Sequence, residues 1–468
     1  MINVGLANQN NLAIVTEETL SKAKEALSKA VTTATGLVGY SLEKPAKQLV
    51  PFASPIRNRI PRKTSETGTS AHWKMITAIK GSSRFGVAEG TKANGITTVV
   101  EDALAAFKSF GRSDYVTYEA KAAAKNYMDI KAKSSTNLLS LVMTEEERMI
   151  LGGNITALGV VAAPVATVSA GGSITAAEYS IKVAALTLEA ANNIDLNQQI
   201  ADLEIPAYGV TAASSAGTAT TTTNNKTISA TVTAKSGALA YAWFIGASGS
   251  ETLQKVTTNN AISLTSLVTG GSAPPSSDTT GTALDYNGLI PQIIASGKFV
   301  DYANAKIKKS GGGGVDVLDA INSHMYTKWK YTPDVYYVSS QVHKDITDAI
   351  IAGNGAPTLL VDNTDKNQIT GNYQVTRYIC KSTGKTQRIE THPWLPDGTL
   401  LAMPESVPYQ NSEIPSVLEI ENGFDYMQIE YATTAPKEEF EIRQYGVLKN
   451  YWPGAMAFYC NIQSGVGT

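Results

Sequence analysis

Residues 117–154 read TYEAKAAAKNYMDIKAKSSTNLLSLVMTEEERMILGGN. The stretch is rich in Ala, Lys, Glu, Leu and Met and holds no proline, and Gly152-Gly153 stop it. Ala123, Tyr127, Ile130, Leu138, Leu141 and Met149 follow helical spacing. One helix of this length would run roughly 50 Å, with Ser134 to Asn137 as its bending point. The triplet Glu145-Glu146-Glu147 reads as a solvated face or a subunit contact.

On the N-terminal side, HWKMITAIK (72–80) reads as a strand and GITTVVEDALAAFKSF (95–110) as its returning partner. Gly81, Gly86, Gly90 and Gly95 lie between them, as in a long hairpin with a loose tip. Such a ribbon is marginal alone in water and needs a surface to lie on. Further back, SKAKEALSKAV (21–31) has helical propensity. VPFASPIRNRIPRK (50–63) carries Pro51, Pro55 and Pro61 and reads as an extended arm rather than a core element.

On the C-terminal side, ALGVVAAPVATVSA (157–170) is too short to span a bilayer and reads as a linker. The composition then turns to Thr, Ser, Ala and Gly. EYSIKVAALTL, TISATVTA, AYAWFIG, TLQKVTT and AISLTSL alternate at period two, as in a small β-sandwich with Trp243 buried. TATTTT (218–223) reads as strand edge or loop. Residues 280–468 are mixed α/β. VDVLDAINSHMYTKW and QVHKDITDAIIAG read as helices. PDVYYVSS, NYQVTRYIC, GTLLAMPES, DYMQIEYATT and FEIRQYGVLKNYWPGAMAFYCNI read as strands.

A length of 468 residues predicts several domains, and 43% apolar content suits a globular protein. A net charge of −2 gives no reason to expect a nucleic-acid binder. The two cysteines, Cys380 and Cys460, rule out a disulfide-stapled scaffold. The N-terminus lacks a basic segment followed by an apolar run, so no secretory signal is read and the sequons at Asn154 and Asn225 carry little meaning.

Motifs for chemistry fail one by one. KKSGGGGVDVLDAI (308–321) looks like a phosphate cradle, but its lysines precede the glycines and Asp316 stands at the mouth. It reads as a flexible turn. His72, His324, His343 and His392 are scattered without metal-ligand spacing. G-x-S-x-G is absent, and the S-x-x-K matches at Ser21 and Ser41 lack companion motifs. The chain reads as no enzyme, with no catalytic, cofactor or metal residues. Residues 1–63 hold nine Lys/Arg against four Asp/Glu, and 405–441 hold nine Asp/Glu against one Lys/Arg. That asymmetry suits an arm seeking a complementary surface on another subunit.

Taken in order, these segments resemble a tailed-phage major capsid protein, of the fold shared with encapsulins. SPIRNRIPRK before HWKMITAIK resembles an N-terminal arm entering an E-loop. Residues 117–154 look like the spine helix of the peripheral (P) domain, and residues 316–350 like the axial (A) domain. FEIRQYGVLKNYWPGAMAFYCNI, with R-x-Y-G and P-G-A, looks like the closing P-domain strands. The Thr-rich segment resembles an immunoglobulin-like insertion. The implied class is α+β: an arm over 1–65, an E-loop hairpin over 66–114, a spine helix over 115–155, an inserted sandwich over 156–277, an A-domain over 278–400 and P-domain strands over 401–468.

The implied function is self-assembly into hexamers and pentamers of an icosahedral virion shell, built in the bacterial cytoplasm around double-stranded DNA without sequence-specific binding and without a membrane. The implied partners are further copies of the chain, a portal, a separate scaffold or none, and possible cement or decoration proteins. Lys74, Lys80 and Lys92 stand where some relatives form covalent crosslinks. Other readings are an encapsulin-like nanocompartment and a surface adhesin with immunoglobulin-like modules.

Overall fold

The computed structural model describes residues 52–65, 68–81, 86–93, 95–125, 128–194, 199–200, 202–311, 313–353, 374–409 and 412–467. The architecture below is that of the unit formed by residues 51–123 and 130–468. The helix read over 21–31 and the first residues of the proline-rich arm lie outside the described residues, as do parts of the hairpin tip and the start of NYQVTRYIC.

Strands β1 (Arg62–Thr64), β2 (Ser70–Gly81), β3 (Ile96–Ala106) and β4 (Lys108–Thr117) come first, then helices Tyr118–Ala124 and Ile130–Gly152. The middle of the chain holds β5 (Val165–Ile174), β6 (Ala177–Leu186), helix Leu188–Asn193, β7 (Gly217–Thr221), β8 (Lys226–Thr231), β9 (Ala240–Gly246), β10 (Thr252–Thr257) and β11 (Ala261–Leu264). Next come helix Leu289–Ser296, β12 (Lys298–Asp301), β13 (Lys306–Ser310), β14 (Gly314–Val315), helix Asp316–Trp329, β15 (Val335–Val338), helix Ser340–Gly353, β16 (Arg377–Ile379), β17 (Thr386–Thr391) and β18 (Leu400–Met403). The chain closes with β19 (Leu418–Glu430), β20 (Lys437–Asn450), β21 (Ala457–Cys460) and β22 (Gln463–Gly467). The class is mixed α+β.

The long helix differs from its expectation. It is two helices, and the second has 23 residues, about 34 Å at 1.5 Å per residue. Asp129 stands directly before it, where a short acidic side chain is favoured. The run from Ser134 to Asn137 does not break it. Ser134 donates to Asp114, Ser135 to Gln428 at 2.9 Å, and Thr136 to the Ala132 carbonyl at 2.9 Å. The buried stripe is Leu138, Val142, Ile150 and Leu151, whereas Leu141 is exposed. Leu138 and Val142 pack on Val116, Phe440 and Ile442 of a four-stranded sheet ordered β1-β19-β20-β4.

The two most characteristic C-terminal motifs have steric reasons. A Cβ on Gly446 of R-x-Y-G would lie 2.2 Å from Asn422 Oδ1 and 2.9 Å from the Glu421 carbonyl. Gly454 of P-G-A lies under the Trp329 ring, whose Nε1 donates to the Gly454 carbonyl at 2.7 Å. Helix Leu289–Ser296 was not expected. Pro291 sits in its first turn, where a missing N–H costs nothing.

Sheets β10-β9-β6-β7 and β11-β8-β5 share one core that includes Ile181, Val183, Ile228, Tyr241, Trp243 and Ile262. Trp243 is fully buried and donates Nε1 to Thr257 Oγ1 at 2.8 Å. Residues 157–170 are not simply a linker, because their second half is strand β5. The Thr-rich β7 is an edge strand, as read.

A six-stranded sheet, β12-β21-β18-β15-β17-β16, carries helices Asp316–Trp329 and Ser340–Gly353 over a second core. The glycine run joins β13 to β14 in a tight antiparallel turn, and the helix begins at once. Asp316 fills the helix start with its own carboxylate, accepting from the Lys308 amide at 3.0 Å, the Val317 amide at 2.8 Å and the Tyr302 hydroxyl at 2.5 Å. The site a phosphate would need is occupied by an anion of the chain.

Between the two middle sheets and solvent, burial alone would raise the pKa of Glu251. Hydrogen bonds from the Ser180 hydroxyl, its own amide and Lys182 reverse this and hold it at about 2. The depressed value means stability present above the unfolded carboxylate range and lost as pH falls towards 2. Glu251→Gln is expected to cost roughly 2 kcal/mol at pH 7 and almost nothing at pH 2. Urea unfolding at the two pH values checks this, and an equal loss at both would contradict it.

Candidate functional site: a buried arm anchor and a bare hairpin face

The proline-rich arm enters the core, against expectation. Ile56 and Ile60 flank the 3₁₀ turn Arg57–Arg59 and are 2% and 7% exposed. They pack in the main core with Val335, Met403, Leu418 and Ile420. The Pro61 carbonyl accepts from the Ile420 amide at 3.0 Å, and β1 runs parallel to β19.

The acidic triplet is the other correction. Only Glu145 behaves as a surface carboxylate, pairing with the exposed Arg112 at 3.0 Å. Glu146 and Glu147 are fully buried. Glu146 accepts from Arg57 Nε at 2.6 Å, Arg62 Nη1 at 3.0 Å, Gln444 Nε2 at 2.8 Å and the Tyr426 hydroxyl. Both guanidiniums lie over the Tyr426 ring, at 5.0 and 5.1 Å. Burial and the Glu146 charge together push the Tyr426 phenol up, so it stays a donor. Arg62 also pairs with Asp425 at 2.7 Å. Glu147 accepts from the Ile56 amide at 3.0 Å, the Arg57 amide at 2.6 Å and His392 Nε2 at 2.7 Å. Consecutive residues on the helix thus hold the arm twice, one by its side chains and one by its backbone.

Burying two carboxylates is costly unless every lone pair is met, and here the arm, β19, β20 and His392 meet them together. Such a node stabilises little over an apolar core of equal volume, but it fixes the arm in one register. The sequence signal was available as two arginines after prolines and a later acidic triplet. Pattern alone could not give the fold that joins them.

Among the described residues, part of the charge asymmetry is met within the chain, with Arg62 on Asp425 and Arg59 on Glu405. Arg59 pairs with Glu390 at 2.9 Å and with Glu405 at 3.5 Å. Lys131 binds Glu430 and Glu438, and Lys449 binds Glu421. The described part of the arm therefore has its complementary surface in its own subunit.

The hairpin behaves as the sequence implied. Strands β2 and β3 form a two-stranded sheet of their own. Its base is held by the buried Ala71 and Phe107, and by Trp73 edge-on to Tyr451 at 6.3 Å. Beyond the base, its strand residues are half-buried or exposed among the described residues. Register pairs His72 with Leu104, Lys74 with Asp102, Ile76 with Val100 and Ile79 with Thr98. Paired residues share a face. Ile76, Ile79, Val100 and Leu104 therefore line one face, and are 65%, 66%, 51% and 64% exposed. The crosslink candidates are also here: Lys74, which pairs with Asp102 at 3.6 Å, Lys80 and Lys92 are all exposed.

The histidines remain dispersed. His72 is exposed, while His343 is buried with its ring nitrogens on Thr391 Oγ1 at 2.7 Å and the Val375 carbonyl at 2.8 Å. Among the described residues, no group of three or more His, Cys, Asp or Glu is placed to hold a metal ion. Among them too, no helix is long and apolar enough to cross a membrane.

Glu146→Gln keeps the shape of the anchor but leaves two guanidiniums short of a buried countercharge. It is expected to cost about 3 kcal/mol, against less than about 0.5 kcal/mol for Glu145→Gln. Equal effects in denaturant titrations would contradict the assignment.

No family model matches the chain, and no curated protein matches it. Solved structures do align along it. The capsid asymmetric unit of cyanophage A-1(L) is 10% identical, with a TM-score of 0.44, covering 92% of this chain and 98% of its own. The capsid of Myoviridae phage XM1 is 9% identical, with a TM-score of 0.41, covering 94% and 100%. The structure of phage G major capsid proteins and decoration proteins is 8% identical, with a TM-score of 0.35, covering 99% and 100%.

Proposed function

We propose that this chain is the major capsid protein of a tailed phage, a structural subunit that assembles with copies of itself into hexamers and pentamers of an icosahedral shell around double-stranded DNA. The observation that carries the reading is the hairpin: a ribbon fixed at its base, with Ile76, Ile79, Val100 and Leu104 exposed on one face, around the Lys74–Asp102 pair, among the described residues. Fully burying an aliphatic side chain contributes about 1.5–3 kcal/mol, so four on one face give a neighbour a substantial gain. A second copy is the fitting occupant, because the reading is of a self-assembling subunit and the ribbon is present on every copy.

In this reading residues 1–65 are the arm, 66–114 the E-loop, 115–155 the spine helix region, 278–400 the A-domain and 401–468 the closing P-domain strands. Residues 156–277 are an inserted sandwich of immunoglobulin type. The close approach of the segment's two ends supports the insertion. Asn154 Nδ2 donates to the Thr280 carbonyl at 3.2 Å, and the Thr282 amide to the Asn154 carbonyl at 2.9 Å. A unit whose entry and exit lie side by side can be added to a fold without rerouting it. Portal, scaffold and decoration proteins are the further partners of such a shell, and its place is the virion. The role is structural, not enzymatic.

The double variant Ile76→Lys, Val100→Glu, which places opposite charges on a cross-strand pair, tests the reading. Both sites are exposed, so the subunit should keep its stability within about 0.5 kcal/mol while losing assembly. Wild-type particles from this variant, seen by electron microscopy, would overturn the assignment of the hairpin.

A further inference from the structure

Strand β13 carries Lys306, Lys308 and Lys309, all exposed. Ile307 between them is fully buried, so Lys306 and Lys308 share the outer face, about 7 Å apart along the strand. Strand β22, Gln463-Ser464-Gly465-Val466-Gly467, runs parallel beside them. Its glycines leave room for the lysine stems. A Cβ on Gly467 would stand 3.0 Å from Lys308 Cγ, and one on Gly465 would stand 3.5 Å from Lys306 Nζ. The stems therefore lie across β22 and hold two ammonium groups on the sheet surface.

Among the described residues, none of the three ammonium groups has a carboxylate partner. The nearby carboxylates are turned to other donors of the chain. Asp316 takes the Lys308 and Val317 amides and the Tyr302 hydroxyl. Asp319 pairs with Lys381 at 3.2 Å and accepts from the Tyr378 hydroxyl at 2.5 Å. Asp345 accepts from the Gly465 amide at 3.0 Å and from Gln341 Nε2 at 2.8 Å. The whole chain has a net charge of −2, but the field at a surface is set by the charges within about 10 Å of it.

We propose that Lys306, Lys308 and Lys309 form a strip that binds the phosphate backbone of duplex DNA, an inference that rests on the reading of the chain as a DNA-enclosing shell subunit. A lysine ammonium is a compact point charge that meets a phosphate with little geometric demand. Contacts to phosphate position a duplex without reading its bases, which suits a container for one long DNA of any sequence. A second copy of the chain fits the strip less well. Of the nine Asp and Glu in residues 405–441, all but Glu413 already face a lysine or arginine of their own chain. The acidic segment of a neighbour therefore has little free charge to offer.

Fluorescence anisotropy of a labelled duplex tests the strip, with the full chain at a concentration where sedimentation shows free subunits. For the wild type, the log–log slope of affinity on salt should be about −3 or steeper. The triple variant Lys306→Gln, Lys308→Gln, Lys309→Gln should bind roughly tenfold more weakly at low salt, with a slope shallower by about 2 to 3. A control removes the same charge from exposed lysines elsewhere, Lys255→Gln, Lys328→Gln and Lys330→Gln, and should bind like the wild type. A wild-type slope shallower than about −2, a triple variant that binds like the wild type, or an equal loss in the control would each overturn the strip. The wild-type slope decides even if a variant does not fold. Polyglutamate bound through these lysines in place of the duplex would make the partner an acidic protein and overturn it as well. Electron microscopy reads the shell assignment separately: closed shells from a chain that does not bind duplex overturn the strip alone, and duplex binding by a chain that never assembles keeps the strip and overturns the shell.

Discussion

One buried carboxylate ties this fold together. Glu146 collects two arginines of the arm, a tyrosine of β19 and a glutamine of β20. Segments far apart in sequence meet there because a carboxylate without water needs all of these donors at once. Ile56 and Ile60 enter the core on either side of Arg57, and β1 then aligns on β19. From that fixed start the chain leads into the hairpin. The anchor thus gives the projecting ribbon a rigid origin, which a subunit that reaches for its neighbour requires.

The hairpin presents the opposite physics. One face carries the exposed Ile76, Ile79, Val100 and Leu104 beside the Lys74–Asp102 pair. In a monomer such a face is a liability. In an assembling subunit it is a directed contact. Among the described residues, Arg59 and Arg62 of the arm are matched by Glu390, Glu405 and Asp425, and the aliphatic side chains of the ribbon stand exposed.

Much of this was legible in the sequence, wherever local periodicity decides structure. The alternation in AYAWFIG and TISATVTA gave strands β9 and β8, and PDVYYVSS gave the fully buried β15. The helix after the glycine run opens on Asp316, whose carboxylate accepts from the Lys308 and Val317 amides. Reading failed where burial runs against residue type. Glu146 and Glu147 look like surface residues, and three prolines look like a loose arm. Only tertiary contact over some ninety residues buries the two glutamates and seats Ile56 beside them. The bending point read at Ser134 to Asn137 failed for a related reason. Ser134, Ser135 and Thr136 disfavour a helix interior by local propensity, but each finds a partner on a neighbouring element or in the preceding turn.

The most direct measurement is the association state of the purified full chain, by sedimentation velocity with electron microscopy of the same sample, alone and with a co-expressed scaffold. Closed shells or capsomer rings are the expected result. A chain that stays monomeric in both settings, with its hairpin face still open to solvent, would contradict the account.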